Sequence, residues 1–337
     1  MSLPKLFLIG TPSKVGGAAT KIRHLLPLLQ HSFEITVVFL ERAWFKEGEV
    51  MGYIKSLGLK AIAFEDIPRS PGSQALVVCE PKIFTSGAVK KLKTKGLRVV
   101  FSNEMMFPFE GEAEAVQEGL IDKVLFVSDF QQRVFSQMYQ GVSQALTGNF
   151  VDPDEFPFKS RRNPVFTLGR LSRADVEKFP LDFPVFYEEL GLKPVRYRVM
   201  AWNDSLSQAF SWHKFGPEWD LIPARRETAV AFLHSLNAFV YPLGHRVHES
   251  WGRSTVEAML TGAIPVVPTG HQFHNLMTHR ESGYICETFE DFRNAVAELH
   301  DDHSHYTRMA HATAEHAREE LCNPRTHREL WETALLA

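Results

Sequence analysis

Cysteine is scarce in this chain of 337 residues. Its three copies, Cys79, Cys286 and Cys322, lie far apart, in no metal-ligand or redox spacing, and an odd number always leaves one outside any disulfide. A disulfide scaffold is excluded, and a reducing cytoplasm is the expected compartment. A basic excess is missing too. The 37 Lys and Arg stand against 40 Asp and Glu, a formal net charge of -3, whereas a dedicated nucleic-acid binder carries a strong positive balance. No apolar run approaches the roughly 18 residues of a membrane-spanning helix, and the early LPKLFLIG segment reads as a buried strand rather than a signal peptide. What is present, 44% hydrophobic and 23% charged residues, describes a soluble globular protein. Its length exceeds the roughly 250–300 residues at which one core stops growing, so two lobes are expected.

Short apolar runs alternate with helical-period stretches from the start. Strands are expected at Leu6 to Ile9, Ile35 to Leu40, Ala61 to Phe64, Ala75 to Cys79, Leu97 to Phe101 and Val124 to Val127, with helices such as Ala18 to Gln30 and Asp129 to Tyr139 between them. Such alternation implies an α/β fold with a mostly parallel, doubly wound sheet. GNFVDPDEFP, from Gly148 to Pro157, crowds turn residues, and the alternation restarts at Val165. The expected division is therefore a domain over 1–150, a second over 151–320, and a terminal amphipathic helix within 321–337. Two such lobes would face a cleft, with ligands beyond the carboxyl ends of the strands.

GTPSKVGGAAT follows the first expected strand. Gly16 and Gly17 suit either a close backbone approach to a ligand or a plain tight turn, and they lack the G-x-G-x-x-G spacing of a dinucleotide site. Lys14, Lys21, Arg23 and His24 make this corner basic, fit for an anionic or membrane-bound acceptor or simply a solvated face. The sharpest stretch is AFVYPLGHRVHESWGRSTVEAMLTGAIPVV. A strand at Ala238 to Tyr241 runs into a loop, a helix opens at Gly252 and stops at Thr261-Gly262, and a buried strand follows. Backbone amides around Trp251, Gly252, Arg253 and Ser254 form the positive end of that helix and suit a diphosphate. Glu249 before the helix and Glu257 inside it offer acceptors for sugar hydroxyls. Taken alone, the two carboxylates would read as a helix cap and a solvated helix residue.

The surrounding pattern, E-S-W-G-R-S-T-V-E-A-M-L-T-G-A-I-P-V-V, resembles the E-x7-E segment of retaining GT-B glycosyltransferases of glycosyltransferase family 4. The resemblance extends to FTLGRLSRADVEKFP, similar to the family's G-R-L segment, to GNFVDPDEF between the lobes, and to the glycine-pair loop. It implies the GT-B fold, two Rossmann-like domains, with the acceptor on the first and a nucleotide-sugar donor on the second. It implies that Arg170 and a following cation, Lys178 or its rival Arg173, neutralise the donor diphosphate. By the same resemblance Glu257 binds ribose and Glu249 contacts the sugar ring near the reacting centre. The base would rest near Trp219 to Pro223, on Leu221 and Ile222, or by Trp202. One departure concerns the sugar side: relatives place a histidine after the strand that corresponds to Leu97 to Phe101, where this chain has SNEMMFPFEG. Asn103 or Glu104 takes that place, or both are ordinary loop residues. His248 and His245 are further candidates to flank the sugar or phosphates.

Asp152-Pro153-Asp154 matches a metal-holding D-x-D but suits a linker turn better. His245 with His248, and His271 with His274, lack the further ligands that zinc requires. No metal and no cofactor is expected. The reading is a cytoplasmic, metal-independent, retaining transferase that moves a sugar such as glucose from a nucleotide-diphosphate donor, UDP-linked first of all. The acceptor would be a glycan or lipid-linked saccharide in polysaccharide assembly, with peripheral membrane contact through the basic corner of the first domain and no nucleic-acid partner. The alternative is a nucleotide-sugar binding protein of the same fold without turnover.

Overall fold

The computed structural model describes residues 3–14, 16–161, 163–224 and 226–337. The chain forms two compact units, Met1–Phe150 with Pro324–Ala337, and Val151–Asn323. Unit 1 carries strands β1 (Lys5–Ile9), β2 (Glu34–Phe39), β3 (Lys60–Ala63), β4 (Gln74–Val78), β5 (Arg98–Ser102), β6 (Lys123–Phe126) and β7 (Ser143–Leu146). All pair in parallel, in the order β3-β2-β1-β4-β5-β6-β7. Central strands such as β4 are buried at every residue, as sheets covered by helices on both faces require.

The terminal helix Pro324–Leu336 belongs to unit 1 and is fixed there by specific groups. Trp331 is fully buried under the Lys21 ammonium, Gln74 Nε2 donates to Leu335 O, and Lys123 Nζ donates to Ala334 O over 2.8 Å.

Unit 2 carries β8 (Phe166–Leu171), β9 (Val195–Met200), β10 (Trp219–Ile222), β11 (Ala238–Val240), β12 (Ile264–Pro268) and β13 (Tyr284–Cys286), again all parallel, in the order β10-β9-β8-β11-β12-β13. Its core is largely aromatic, with Phe179, Phe183, Tyr187, Tyr197, Trp202, Phe210 and Trp219 in edge contacts such as Phe179 to Phe183 at 4.9 Å between ring centroids.

In each sheet the chain reverses its direction of growth once, between β1 and β4 in unit 1 and between β8 and β11 in unit 2. Those are the places where an open α/β sheet leaves a crevice at its strand ends. The structure differs from the sequence reading at the sheet edges: β7 was not expected, and Trp219–Ile222, not among the expected strands, is strand β10. Helices Glu112–Gln117 and Asp204–Ala209 are additions of the same kind.

Candidate functional site

The reversal between β8 and β11 gathers the main candidates of unit 2. Arg170 lies in β8 itself, with no exposed surface. Its Nη1 donates to Pro242 O (2.8 Å) and its Nη2 to Ser172 Oγ and Lys178 O (3.2 Å each). The guanidinium lies over the rings of Phe179 (3.9 Å) and Tyr241 (4.6 Å). Burial holds its pKa below the usual guanidinium value, against the pull of Tyr241, Tyr187 and Glu249. The Arg170 side chain is enclosed by protein, and its donors tie the loop of Lys178 to the loop after β11.

Lys178 ends a short 3-10 turn, Val176–Lys178, entered through Asp175, whose side chain accepts from Glu177 N–H. That turn rests on Gly244, whose N–H donates to Lys178 O over 3.3 Å. A side chain at Gly244 would put its Cβ 2.0 Å from Glu177 O, so only glycine permits this approach. The result brings Lys178 Nζ to 2.5 Å from Glu249 Oε1. The Tyr241 hydroxyl donates to the same oxygen over 2.9 Å, while Glu249 Oε2 accepts no bond among the described residues. Burial alone would raise the Glu249 pKa, but Lys178, the Tyr241 hydroxyl and Arg170 together hold it below the ordinary carboxylate value. Burial would likewise lower that of Lys178, and the Tyr241 oxygen and Glu249 outweigh it, so the ammonium stays charged. Arg173 is exposed and close enough to Lys178 to be felt electrostatically.

The helix after Glu249 spans Arg253–Thr261. Gly252 precedes it at φ 92, a left-handed conformation that side chains rarely adopt. Backbone bonding begins with Thr255 N–H and Val256 N–H, both donated to Gly252 O. The leading turn therefore directs amides and the positive dipole end toward the carboxyl edge of the sheet. Ser254 is partly exposed at this end and Trp251 is buried beside it. Arg253 Nε donates to Glu257 Oε1 over 3.0 Å. Burial raises the Glu257 pKa above the ordinary value; Arg253 offsets part of the rise and Glu155 adds to it. His248 is exposed next to Glu249 and packs at 5.6 Å, centroid to centroid, on His271, which follows β12. His245 is exposed.

The residues expected to hold the base are mostly buried. Trp219 points into the aromatic core with its indole N–H on Glu188, Ile222 is buried, and Trp202 is buried with its Nε1 on Ser207. Leu221 alone of these four is partly exposed.

Gly16 and Gly17 lie in unit 1, exposed at the start of helix Gly17–Leu29. Asn103 is fully buried and serves the loop: its side chain accepts from Met105 N–H, and its amide donates to Phe107 O and Glu112. Glu104 is the partly exposed member, and its carboxylate accepts from the Lys21 ammonium (2.6 Å) and the Ser102 hydroxyl (2.8 Å). In the basic corner Lys21 is completely buried, Arg23 lies on the Tyr53 ring at 3.8 Å, and exposed Lys14 faces Glu49 at 3.6 Å. Among the described residues no helix is long and apolar enough to cross a membrane, and no three His, Cys, Asp or Glu side chains are grouped to hold a metal ion. Asp154 of the D-x-D stretch pairs with Arg318 at 3.3 Å.

Sequence reasoning missed two residues of this site. Tyr241 was read only as a strand end and Gly244 only as loop, because neither a tyrosine nor a glycine after a strand carries a chemical signature by itself.

No protein-family model and no curated protein sequence matches the chain. Solved structures do. HepE of Anabaena in complex with UDP and glucose superposes with a TM-score of 0.75 over 99% of both chains at 14% identity. A glycosyltransferase from Rickettsia africae gives 0.76 over 99% of both at 10% identity. Sucrose-phosphate synthase from Thermosynechococcus elongatus gives 0.70 over 98% of both at 11%. At such identities the likeness shows the fold: two parallel-sheet α/β halves of the GT-B type.

Proposed function

We propose that the chain is a glycosyltransferase that takes a sugar from a UDP-linked donor. The observation that carries the reading is the convergence of Lys178, Glu249 and the leading amides of helix Arg253–Thr261 at the reversal between β8 and β11, on a fold shared with HepE, a protein solved with UDP and with UDP-glucose. In this reading the helix amides, Lys178 and exposed Arg173 take the diphosphate, and stabilisation of leaving-group charge by such fixed groups is the largest catalytic contribution. Glu257 accepts from ribose hydroxyls once Arg253 turns to the phosphates. Glu249 accepts from the donor sugar. The C1–O bond to the phosphate breaks as the acceptor oxygen bonds C1 on the same face, and the acceptor proton passes to the departing phosphate oxygen. The route is retaining, needs no metal, and differs from the two flanking carboxylates of a glycosidase. We assign the donor to unit 2 and the acceptor, a glycan or lipid-linked saccharide, to unit 1.

The test is UDP-sugar hydrolysis and transfer by wild type, Glu249→Ala and Lys178→Ala. A fall of about a hundredfold in both variants is expected, and undiminished turnover would overturn the assignment. The alternative, a nucleotide-sugar binder without turnover, draws on one feature of unit 1: Asn103 is buried and Glu104 is occupied by Lys21. UDP binding with no release of sugar across a donor panel would favour it.

A further inference from the structure

The Glu249 carboxylate is held from two sides by groups with different futures. Lys178 sits at the tip of a 3-10 turn, and in the reading above it is drawn away by the diphosphate. Tyr241 is 1% exposed, directly after β11, with its ring against Phe239 (5.2 Å) and Phe273 (6.3 Å) and under the Arg170 guanidinium. Such a ring has no second place to go, because close-packed interiors do not deform continuously. Both groups donate to Oε1 of Glu249, so Oε2 is left for a ligand while the hydroxyl fixes the direction of the carboxylate. When Lys178 leaves, the hydroxyl is the remaining donor to Glu249 among the described residues.

We propose that Tyr241 is a positioning residue of the donor site: its hydroxyl keeps the Glu249 carboxylate aimed at the sugar while Lys178 leaves that carboxylate for the donor diphosphate. The inference rests on the nucleotide-sugar reading and deepens it. It separates binding of the nucleotide, in which Tyr241 has no part, from binding of the sugar. The other charged or titratable groups facing Glu249 are Arg170 from β8, Lys178 from its turn and His271 from the loop after β12, with His248 adjacent in its own loop. Of these and Tyr241, only Tyr241 is both buried and neutral in ordinary solution.

The experiment measures UDP and UDP-glucose binding calorimetrically with wild type, Tyr241→Phe, Glu249→Gln and the double variant. Tyr241→Phe keeps the ring and its stacking on Arg170. UDP affinity is expected to stay within about twofold, and the ratio of UDP-glucose to UDP affinity to fall about tenfold, the scale of one hydrogen bond to a charged group. The double variant should match Glu249→Gln alone, since the hydroxyl acts only through that carboxylate. The acid limb of donor hydrolysis should also move to higher pH in Tyr241→Phe, because the ionised carboxylate has lost a donor. An unchanged affinity ratio, effects of the two substitutions that multiply, or a Tyr241→Phe protein that no longer unfolds cooperatively would each overturn the proposal. Wild type that binds neither nucleotide would overturn the donor reading and this inference with it, whereas wild type that binds UDP with an unchanged ratio in the variant overturns Tyr241 alone.

Discussion

Lys178 and Glu249, 71 positions apart in sequence, meet with 2.5 Å between ammonium nitrogen and carboxylate oxygen. The cation assigned to a diphosphate is thus already neutralised by the carboxylate assigned to the sugar. Both side chains are about six-sevenths withdrawn from water, so screening is weak and the pair is stronger than an exposed one. A diphosphate that takes Lys178 must compete with Glu249, and in doing so it releases the acceptor that the sugar needs.

This competition gives a prediction opposite in sign to that for an ordinary contact residue. Glu249→Gln should tighten UDP binding about threefold to tenfold, because Lys178 loses its rival anion. Transfer should fall about a hundredfold or more in the same protein. Titration calorimetry beside a donor-hydrolysis assay checks both, and weaker UDP binding in the variant would mean that no competition exists.

Gly244 sets the height of the Lys178 turn. In Gly244→Ala the new methyl must displace Glu177 O, 2.0 Å away, and Phe179 O, 3.0 Å away. Overpacking of this kind costs about 1–3 kcal/mol. The turn is the softer partner, so Lys178 moves while the β8 to β11 framework stays. We expect a modest drop in melting temperature with about a tenfold loss of donor binding; unchanged donor binding would show that the turn does not place Lys178.

How much of this was legible in the sequence depends on the range of the interaction. The E-S-W-G-R-S-T-V-E stretch is local, so Glu249, Gly252 and the helix Arg253–Thr261 could be read from spacing and the resemblance alone. Burial of Arg170 could not. A parallel strand covered on both faces buries every side chain, and β8 includes its arginine because Phe179, Phe183 and Tyr241 arrive from elsewhere to cover it. The Lys21 to Glu104 pair has the same origin, joining residues 83 apart, and it turned an apparent surface charge into a core group. Edge strands β7 and β10 were missed because SQAL and WDLI are short and mix polar with apolar residues; an edge strand is covered on fewer sides and needs less.

Glu257 predicts a pH dependence. Its carboxyl titrates above the ordinary value, chiefly from burial, with Glu155 adding to the rise. Ribose hydroxyls need the ionised form as acceptor, so nucleotide binding should weaken as pH falls through that raised value, earlier than for a free glutamate. Glu155→Gln removes a like charge, makes ionisation of Glu257 easier, and should move the acid limb of UDP binding to lower pH. Binding measured from pH 4 to pH 8 checks the direction, and a limb that stays in place would exclude Glu257 as the group that titrates.

Arg161 offers a prediction on stability that is independent of the donor site. Its guanidinium is 6% exposed and reaches Leu236 O (2.9 Å), Lys159 O (2.8 Å), Leu233 O (3.1 Å), Thr261 Oγ1 (3.1 Å) and Thr261 O, fastening the carboxyl ends of two helices to the chain that enters β8. Burial pushes its pKa down to about 10, so the cation pays heavily in desolvation and is retained for the carbonyls it satisfies. Arg161→Ala would leave several of those carbonyls unpaired in the interior, and a loss of about 3–5 kcal/mol is expected in denaturant unfolding. Arg161→Lys should recover only a minor part, because an ammonium cannot reproduce the planar fork of five donors. Equal stability of the lysine variant and wild type would show that charge alone, and not the fork, holds the helix ends.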